Sequence, residues 1–435
     1  MARDTIYALS TGPGSAGIAV VRLSGPGADA ALRALGAEPL PSPRRAQLRC
    51  LRDEDGDLID QALVLRFVPG ASYTGEAMAE LHCHGGRAVV AAVLARLGQL
   101  PDCRLAEPGE FTRRALEEDK IDLVAAEALS DLIAAETECQ RRQAVMGMTG
   151  ALGRLAESWR GDLLRAVALV EVTIDWADEE VPEDVGPEVG VLLERVRTSM
   201  LRQIALSSGA ERLRNGFEVA ILGAPNSGKS SLFNALAGRE AAITSTRAGT
   251  TRDVLELRYD LAGFPVVFLD TAGLRASTDE IEALGVERAL SRAQGAALRI
   301  FLFSPDTEPL PNPSDHWRDG DLRVWNKRDL ADAPDGYIAI SAARGGGVVD
   351  LLAQIEAAVS QQVSSEALVG HLRQRQAVED AVDNLRRAEE GISGRPPEEI
   401  AEDMRAAIAA VELLVGRIRT EDVLGEVFAR FCVGK

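Results

Sequence analysis

The sequence is poor in positive charge. Its 435 residues include 48 lysines and arginines against 67 aspartates and glutamates, a formal net charge of −19 at pH 7. This is the reverse of the electropositive surface expected of a protein that binds nucleic acid unaided. A polyanion would therefore be held by a local basic patch or by a basic partner, although most charged runs are only solvated faces. The candidate patches are Arg44, Arg45, Arg49 and Arg52, the pair Arg113 and Arg114, and the pair Arg141 and Arg142.

Cysteine is also scarce, and long apolar runs are missing. The five cysteines are odd in number and lack the spacing of a disulfide framework, which fits a reducing compartment. No window approaches the roughly 18 apolar residues of a membrane span. The N-terminal stretch "MARDTIYALSTGPGSAG" has no basic segment followed by an apolar core. We therefore expect a cytoplasmic protein that does not enter a membrane.

The stretch "HCHGG" places His82 and His84 on one side of a predicted strand, as a pair of metal ligands would be. A structural zinc site needs about four ligands. The sequence offers no second cluster of histidine and cysteine to supply them. We therefore predict a structural role for this pair and no metal.

The apolar pattern changes three times along the chain, which at 435 residues is too long for one hydrophobic core. We predict an α/β domain over 1–118, helices over 119–212, a second α/β unit over 213–365 and helices over 366–435. The two helical segments are predicted to pack on each other, because two unrelated helical tails would each expose an apolar stripe. The predicted fold class is therefore α/β and α multidomain, with one helical domain split by an inserted α/β unit.

The stretch "GAPNSGKS" (223–230) lies between a predicted strand, "FEVAIL", and a predicted helix, "SLFNALAG". It matches the G-x-x-x-x-G-K-[ST] phosphate loop in the structural context that the motif requires. Gly223 and Gly228 let backbone N–H groups close around phosphate, Lys229 reaches the β- and γ-oxygens, and Ser230 offers its hydroxyl to Mg²⁺. The sequence therefore predicts a site for a nucleoside triphosphate and Mg²⁺.

Two further motifs complete the predicted phosphate site. Thr251 in "TTRD" is placed to close over the γ-phosphate and the metal. Asp270 ends the predicted strand "VVFLD" and would hold Mg²⁺ through water, while the N–H of Gly273 reaches the γ-phosphate.

The choice of base is predicted by "NKRD" (326–329). An ionised Asp329 accepts the N1–H and the exocyclic amino group of guanine, and adenine has no partner to offer at those positions. Asn326 supports the loop, the stem of Lys327 covers the base, and the backbone of "SAA" (341–343) donates to guanine O6. GTP is therefore the predicted substrate.

One residue departs from the pattern of Ras-type GTPases. In "DTAGLR" (270–275) the position after the glycine holds Leu274, where those enzymes have a glutamine that orients the attacking water. A leucine side chain neither donates nor accepts a hydrogen bond. Another group must therefore position the water if this chain hydrolyses GTP.

The sequence resembles the tRNA modification GTPase MnmE (TrmE) family over the whole chain. The resemblance is carried by "GAPNSGKSSLFNALAGREAAIT", "AGTTRD", "DTAGLR", "PGEFTRRAL" (108–116) and "FCVGK" (431–435). It implies a homodimer with an N-terminal folate-binding-like domain and a helical domain split by a Ras-like P-loop G domain. It also implies an FAD-dependent partner, MnmG (GidA). The pair would add an aminomethyl or carboxymethylaminomethyl group to C5 of the tRNA wobble uridine.

The resemblance also implies how Leu274 is compensated. K⁺ would offset charge that develops in the transition state, as an arginine finger does. The implied ligands are the side-chain oxygen of Asn226 and oxygens of Ser245, Arg247 and Thr250, with the cationic side chain of Arg247 pointing away. Taken alone, an asparagine after a proline is a common turn residue. The motifs and the resemblance together predict as nucleotide-binding residues Asn226, Ser227, Gly228, Lys229, Ser230, Ser231, Ser245, Thr250, Thr251, Asp270, Gly273, Asn326, Lys327, Asp329, Ser341, Ala342 and Ala343.

Two interpretations of Glu282 stay open. The resemblance implies a catalytic carboxylate that orients the attacking water through a second water molecule. Alternatively, Glu282 follows Asp279 by three positions, which approximates a capping box at a helix start. The resemblance, rather than the spacing, favours catalysis.

A one-carbon site is implied by the resemblance, with 5-formyltetrahydrofolate or a related folate as ligand. The pterin ring and the carboxylated tail of a folate require a buried acid and several cations. Glu80 would take the pterin edge, and Arg22, Lys120 and Lys435 would line the same pocket. Cys432 would lie near the one-carbon chemistry, although a free cysteine is more often a small buried hydrophobe.

Two functional classes are consistent with these features. The first is a tRNA-modifying enzyme that couples GTP hydrolysis to folate-dependent chemistry. The second is a GTP-driven assembly factor for ribosomes or other ribonucleoprotein particles, since related G domains with a P-N-x-G-K-S loop serve ribosome assembly. "PGEFT", Lys120 and "FCVGK" favour tRNA modification.

Overall fold

The computed structural model describes residues 4–175, 185–239, 241–243, 256–270, 292–307, 317–392, 394–417, 421–428, 431 and 434, with the backbone alone for residues 175, 270, 421–423 and 426. The strands in these segments are β1 (Thr5–Leu9), β2 (Ala16–Ser24), β3 (Gln47–Arg52), β4 (Leu58–Phe67), β5 (Met78–Gly85), β6 (Cys103–Leu105), β7 (Phe217–Gly223), β8 (Glu256–Leu261), β9 (Phe264–Asp270), β10 (Leu298–Phe303), β11 (Leu322–Trp325) and β12 (Ile338–Ala339). The helices are α1 (Ala28–Ala34), α2 (Arg87–Gly98), α3 (Glu110–Glu117), α4 (Leu123–Ala134), α5 (Glu138–Met148), α6 (Ala151–Asp175), α7 (Gly186–Asn215), α8 (Lys229–Ala237), α9 (Val348–Ser360), α10 (Leu372–Gly391), α11 (Pro397–Val415) and α12 (Glu421–Phe428).

The chain divides into two compact units, one formed by Met1–Ser130 with Val415–Lys435 and the other by Asp131–Leu414. Helices and mixed sheets occur in both parts of the chain that the structure describes, so the protein is a multidomain α/β and α protein. Among the described helices, none combines the length and the apolar character that crossing a membrane requires.

The first unit is built on a six-stranded sheet with the order β3-β4-β5-β2-β1-β6. Its strands pair antiparallel except β1 and β6, which run parallel. Side chains alternate between the two faces of a strand. One face therefore packs Val21, Leu23 and Leu81 into a core with Leu32 of α1 and Leu97 of α2.

The end of the chain also belongs to the first unit. Phe428 of α12 and Phe431 are buried in one cluster with Leu116 of α3 and Leu123 of α4. A Cβ added at Gly109 would lie 3.0 Å from atoms of both phenylalanines, so the turn before α3 fits closely against them. The apolar residues before the terminus thus fix the last segment on the N-terminal part of the chain.

A buried ionic network joins α3 to the sheet. Arg114 is 5% exposed and lies 3.0 Å from Glu76 and 2.9 Å from Glu110, and Glu110 also lies 2.6 Å from Arg104. The Ser24 hydroxyl on β2 donates to Glu76 at 2.6 Å. Burial by itself raises the pKa of Glu110, but hydrogen bonds from Arg104, from the N–H of Glu107 and from Arg114 outweigh it and lower that pKa. Glu110 and Arg114 of "PGEFTRRAL" are therefore structural in this unit.

This lowered pKa predicts an acid-sensitive first unit. A group whose folded-state pKa is depressed stabilises the fold above its unfolded pKa, and this contribution is lost as the pH falls below about 4. Glu110→Gln should therefore cost about 2 kcal/mol of unfolding free energy at pH 7 and progressively less in acid. Calorimetric unfolding from pH 7 to pH 3.5 tests this, with Glu54→Gln, an exposed partner of Arg96, as the control. A Glu110→Gln deficit that does not shrink with acid would contradict the assignment.

The second unit contains a sheet with the order β12-β11-β10-β7-β9-β8, parallel throughout except for the antiparallel pair β8 and β9. Phe217, Val219 and Ile221 of β7 are fully buried and pack in one core with side chains of α8 and α9, among others. In such a doubly wound sheet, the loops at the carboxyl ends of neighbouring parallel strands converge. The loops after β7, β10, β11 and β12 therefore meet at one edge.

Helices before and after this sheet pack together in the second unit. α7 contacts α6 on one side and α10 on the other, and Arg197 of α7 lies 2.7 Å from Glu389 of α10. Arg160 of α6 pairs with Glu412 of α11 at 2.9 Å. Segments that are far apart in sequence thus share one helical core.

Candidate functional site

The loop between β7 and α8 can only be built with glycine at two positions. A Cβ at Gly223 would collide with the carbonyl oxygen of Leu302 and with the hydroxyl of Ser227. A Cβ at Gly228 would collide with the side-chain amide of Asn326, and the φ of +96° at Gly228 is in the left-handed region that favours glycine. The loop is therefore held tightly against the ends of β10 and β11, with the N-terminus of α8 directly behind it.

This loop has the features of a phosphate cradle. Lys229 Nζ donates to the carbonyl oxygens of Gly223 at 2.7 Å and Ala224 at 3.0 Å, which holds the ammonium over the loop. Ser230 and Ser231, in the first turn of α8, are exposed. The first backbone N–H groups of a helix have no partner within the helix and carry partial positive charge, so they favour an anion. Lys229, the two serines and the helix N-terminus therefore suit the phosphates of a nucleotide and a metal ion.

Asn326 ties the phosphate loop to the base loop. Its side chain is 2% exposed. Its Nδ2 donates to the carbonyl oxygen of Ser227 at 2.9 Å, and its Oδ1 accepts from the N–H of Ala342 at 3.0 Å. Ser227 is fully buried, and its backbone carbonyl makes this contact. A single amide thus fixes the spacing between the loops that follow β7, β11 and β12.

Lys327 makes a second bridge between the same loops. Its Nζ donates to the carbonyl oxygen of Asn226 at 3.0 Å and to Asp306 at 2.6 Å. Asn226 and Lys327 both have positive φ, at +66° and +60°, which non-glycine residues seldom adopt. The ammonium therefore holds the backbone of Asn226 in place and leaves its exposed side chain directed outwards.

Asp329 is held as an oriented anion. The Ser341 hydroxyl donates to Oδ1 at 2.7 Å, and Arg344 lies 3.3 Å from Oδ2. The Ser341 hydrogen bond, followed by a backbone hydrogen bond and by the charge of Arg344, lowers the pKa of Asp329. An ionised carboxylate with free lone pairs can accept two parallel N–H donors.

Two residues of this site, Asp306 and Arg344, were not predicted from the sequence. Asp306 belongs to no motif, and its contact with Lys327 joins positions that are 21 residues apart. Arg344 directly follows "SAA", which is the one signal that could have pointed to it.

Several predicted residues lie outside the described part of the chain. For Asp270 the structure gives only the backbone, at the end of β9. The others are Ser245, Arg247, Thr250, Thr251, Gly273, Leu274, Glu282, Cys432 and Lys435.

In the first unit, Arg22 and Glu80 face each other on β2 and β5, with Arg22 Nη2 2.9 Å from Glu80 Oε1. The Arg22 guanidinium also lies 5.7 Å from the ring centre of Tyr73 and 5.8 Å from that of Phe111. The side chains of the pair are 22% and 17% exposed. The ion pair is still partly open to solvent beside the half-buried ring of Tyr73, whereas Phe111 is fully buried. The charged groups and the Tyr73 ring suit a flat polar ligand.

Lys120 and the chain end approach the same region from other elements. Lys120 Nζ donates to the carbonyl oxygen of Gly70 at 3.0 Å, in the loop of residues 68–77 that also carries Tyr73. Ser10 comes just after β1, the strand beside β2, and its hydroxyl donates to the carbonyl oxygen of Gly434 at 2.8 Å. Arg22, Glu80, Lys120 and Gly434 therefore lie in the same unit, with the Arg22–Glu80 pair as the direct contact among them.

The two histidines of "HCHGG" have separate partners. His82 lies 3.4 Å from Glu80, whereas His84 lies 2.7 Å from Asp60 on β4. The hydrogen bond from His84 counters burial and lowers the pKa of Asp60. Within the described segments, no group of three histidine, cysteine or acidic side chains is placed to hold a metal ion.

The second unit has a phosphate loop at the end of a buried parallel strand, hydrogen bonds of Asn326 that hold this loop beside the base loop, and an ionised aspartate for a guanine edge. These features define a P-loop protein that binds guanine nucleotide.

Comparison with known proteins places the chain in a family. The family model of the MnmE helical domain matches residues 123–432, and that of the GTP-binding protein TrmE N-terminus matches residues 5–120. The chain belongs to the tRNA modification GTPase MnmE family. It is 51% identical over 434 residues to the tRNA modification GTPase MnmE of Roseobacter denitrificans, covering 99% of this chain and 100% of that protein. It is also 51% identical to that of Dinoroseobacter shibae and 50% identical to that of Parvibaculum lavamentivorans, with the same coverage.

Similarity to solved structures is weaker. The G domain of the T. maritima FeoB iron transporter matches 33% of this chain and 98% of its own length, with 23% identity and a TM-score of 0.25. This value is too low to support a conclusion about the chain.

Proposed function

We propose that this chain is a K⁺-stimulated GTPase that modifies the wobble uridine of tRNA together with an FAD-dependent partner. The modification is an aminomethyl or carboxymethylaminomethyl group at C5, with a tetrahydrofolate as the one-carbon donor. Membership of the family makes the chain a GTPase of tRNA modification. The observation that carries the nucleotide part is the pair of hydrogen bonds by which Asn326 joins Ser227 of the phosphate loop to Ala342 of the loop after β12.

For GTP binding, the chain supplies preformed contacts. Asp329, kept ionised by Ser341, accepts the N1–H and amino group of guanine, which selects GTP over ATP. Lys229 and the N-terminus of α8 contact the phosphates, and the exposed Ser230 is placed to hold Mg²⁺. Because Asn326 fixes the loops before the ligand arrives, binding free energy is not spent on ordering them.

For hydrolysis, the chain must position water without a glutamine at Leu274. We assign water orientation to Glu282 and an anchoring role to the side chain of Asn226, whose backbone is fixed by Lys327. A bound K⁺ would offset negative charge in the transition state. Oxygens of Ser245, Arg247 and Thr250 would complete its ligands.

For folate binding, Arg22 and Glu80 fit a pterin. The paired carboxylate can accept from the pterin amino group, and the half-buried ring of Tyr73 provides a flat surface beside it. Lys120 provides a cation that contacts the 68–77 loop, which carries Tyr73. Gly434, held by Ser10, supports placing Cys432 and Lys435 near this site.

The organisation of the protein is part of the same proposal. We propose a cytoplasmic homodimer that acts on tRNA with MnmG (GidA). Its domains would be a folate-binding-like domain over 1–118, a helical domain over 119–212 and 366–435, and a G domain over 213–365. The packing of α7 on α10 supports one split helical domain.

The K⁺ proposal predicts a change in ion dependence at Asn226. GTP turnover should be faster in K⁺ than in Na⁺ by about tenfold or more, because the larger ion suits a loose cage of oxygens. Asn226→Ala should remove this difference. The measurement is steady-state phosphate release in matched KCl and NaCl. Asn234→Ala, in the same α8 region but away from the loop, should keep the preference. Equal rates in both salts for the unaltered protein would end this explanation of Leu274.

The folate proposal is tested by retention of labelled 5-formyltetrahydrofolate on the purified protein. Arg22→Gln and Glu80→Gln should each weaken retention by about tenfold or more, since each leaves its charged partner unpaired. The control is Arg33→Gln, which removes an exposed ion pair between Arg33 of α1 and Glu38. An unaltered protein that retains no folate would favour the assembly-factor alternative.

A further inference from the structure

Two of the three basic patches in the sequence are neutralised within the fold. Arg113 lies 3.1 Å from Glu117, and Arg114 is buried against Glu76. An arginine already paired with a carboxylate contributes little field to an approaching anion. The pair Arg113 and Arg114 is therefore not available as a basic surface.

The pair Arg141 and Arg142 is partly neutralised, because both share one carboxylate. Both guanidinium groups lie 2.7 Å from Glu138 at the start of α5. Their hydrogen bonds lower the pKa of Glu138 to about 2, so the carboxylate stays charged at neutral pH. This patch carries only part of its formal positive charge.

The third patch differs. We call Arg44, Arg45, Arg49 and Arg52 the β3 arginine strip. In the described residues, no carboxylate oxygen lies within ion-pair distance of any of the four. Arg49 donates to the carbonyl oxygen of Pro39 at 2.9 Å, and Arg52 to that of Gly56 at 2.7 Å. These contacts order the side chains but leave their charges uncompensated.

The position of the strip makes these charges accessible. β3 is an edge strand of its sheet, and Arg44, Arg45 and Arg52 are exposed. Residues 39–52 contain four arginines and no acid. Arg44 and Arg45 lie in the loop just before β3, and Arg49 and Arg52 lie on the strand itself. The acids of the turn at 53–57 lie beyond its Arg52 end, so its field is strongest at Arg44 and Arg45.

We propose that the β3 arginine strip binds the phosphate backbone of tRNA. The inference rests on the proposed function, which makes tRNA the substrate. In a chain of net charge −19, an RNA is repelled by most of the surface, so an uncompensated basic edge is where association should occur. Contacts with phosphate position the RNA and carry no sequence information, which suits exposed guanidinium groups with free donors.

A different role for the same residues must be separated from this one. Edge strands are often protected from pairing with other chains by charged side chains. A negative charge would serve that purpose as well as a positive one. Charge reversal therefore distinguishes protection of the edge from binding of a polyanion.

The test uses the full-length protein and a fluorescein-labelled tRNA transcript with an unmodified wobble uridine. Binding is followed by anisotropy between 50 and 300 mM KCl. Arg44→Gln/Arg45→Gln should weaken binding roughly tenfold near 100 mM salt and reduce the slope of log affinity against log salt by about two. Arg44→Glu/Arg45→Glu should weaken binding further. GTP turnover without RNA should stay unchanged for both.

The control is Arg141→Gln/Arg142→Gln, which changes the net charge by the same amount. It should bind tRNA like the unaltered protein. Equal binding by Arg44→Glu/Arg45→Glu, with normal thermal stability and a monodisperse solution, would overturn the proposal in favour of edge protection. Failure of the unaltered protein to bind tRNA, alone and with its FAD-dependent partner, would instead reject the proposed function.

Discussion

Asp329→Asn is expected to lower the affinity for GTP on the order of 10³-fold and to make xanthosine triphosphate the better ligand. The unaltered carboxylate accepts two donors from guanine. An asparagine amide offers one donor and one acceptor, which conflicts with the guanine amino group and matches the carbonyl oxygen of xanthine at the same position. The Ser341 hydroxyl can still donate to the amide oxygen, so the loop should keep its geometry.

This exchange is measured with fluorescent GTP and competition by unlabelled xanthosine triphosphate. Asp335→Asn is the matched control, since Asp335 is an exposed aspartate of the same unit and should leave both affinities unchanged. Loss of GTP binding with no gain of xanthosine triphosphate would mean that Asp329 only supports the loop. Unchanged GTP affinity would remove it from the base site.

The second large effect is expected at the chain end. Cys432→Ser should reduce tRNA modification by roughly 10²-fold or more while GTP turnover stays near the unaltered rate. A serine hydroxyl is far less acidic and less nucleophilic than a thiol. Residues 415–435 belong to the first unit and include no residue that we assign to nucleotide binding. Loss of GTP turnover together with modification would contradict this separation of the two sites.

The structure explains why this single substitution is preferable to removing "FCVGK". Phe431 is 7% exposed and packs with Phe428 and Leu116. Deleting such a side chain costs about 3–5 kcal/mol, so a truncated protein would lose stability whatever the role of Cys432. Cys103→Ser, at a half-buried cysteine of the same unit, is the control. If both cysteine variants modify tRNA fully, Cys432 is a packing residue.

The motifs allowed most of the nucleotide site to be predicted, because a phosphate loop depends on residues within one short stretch. Gly223, Gly228 and Lys229 lie where the spacing of "GAPNSGKS" requires, between β7 and α8. The order of "GKS", "DTAG" and "NKRD" then indicated guanine. The contacts of Asp306 and Arg344 are set by how separate loops pack, which no local pattern encodes.

The first unit was less predictable for a related reason. β1 is buried along most of its length and so lacks the apolar and polar alternation of a half-exposed strand. The resemblance identified "PGEFTRRAL" by its letters, yet the role of Arg114 depends on Glu76, 38 residues away.

The most direct test of the account is transfer of labelled carbon from folate to tRNA. The purified chain, its FAD-dependent partner, GTP, Mg²⁺, K⁺ and tRNA would be incubated with a folate labelled in its one-carbon unit, and the wobble nucleoside would be analysed by mass spectrometry. We expect label on the C5 substituent of the wobble uridine. This labelling should depend on GTP and K⁺, and it should be lost in Arg22→Gln and in Cys432→Ser. Rapid GTP hydrolysis with an unlabelled wobble uridine would contradict it.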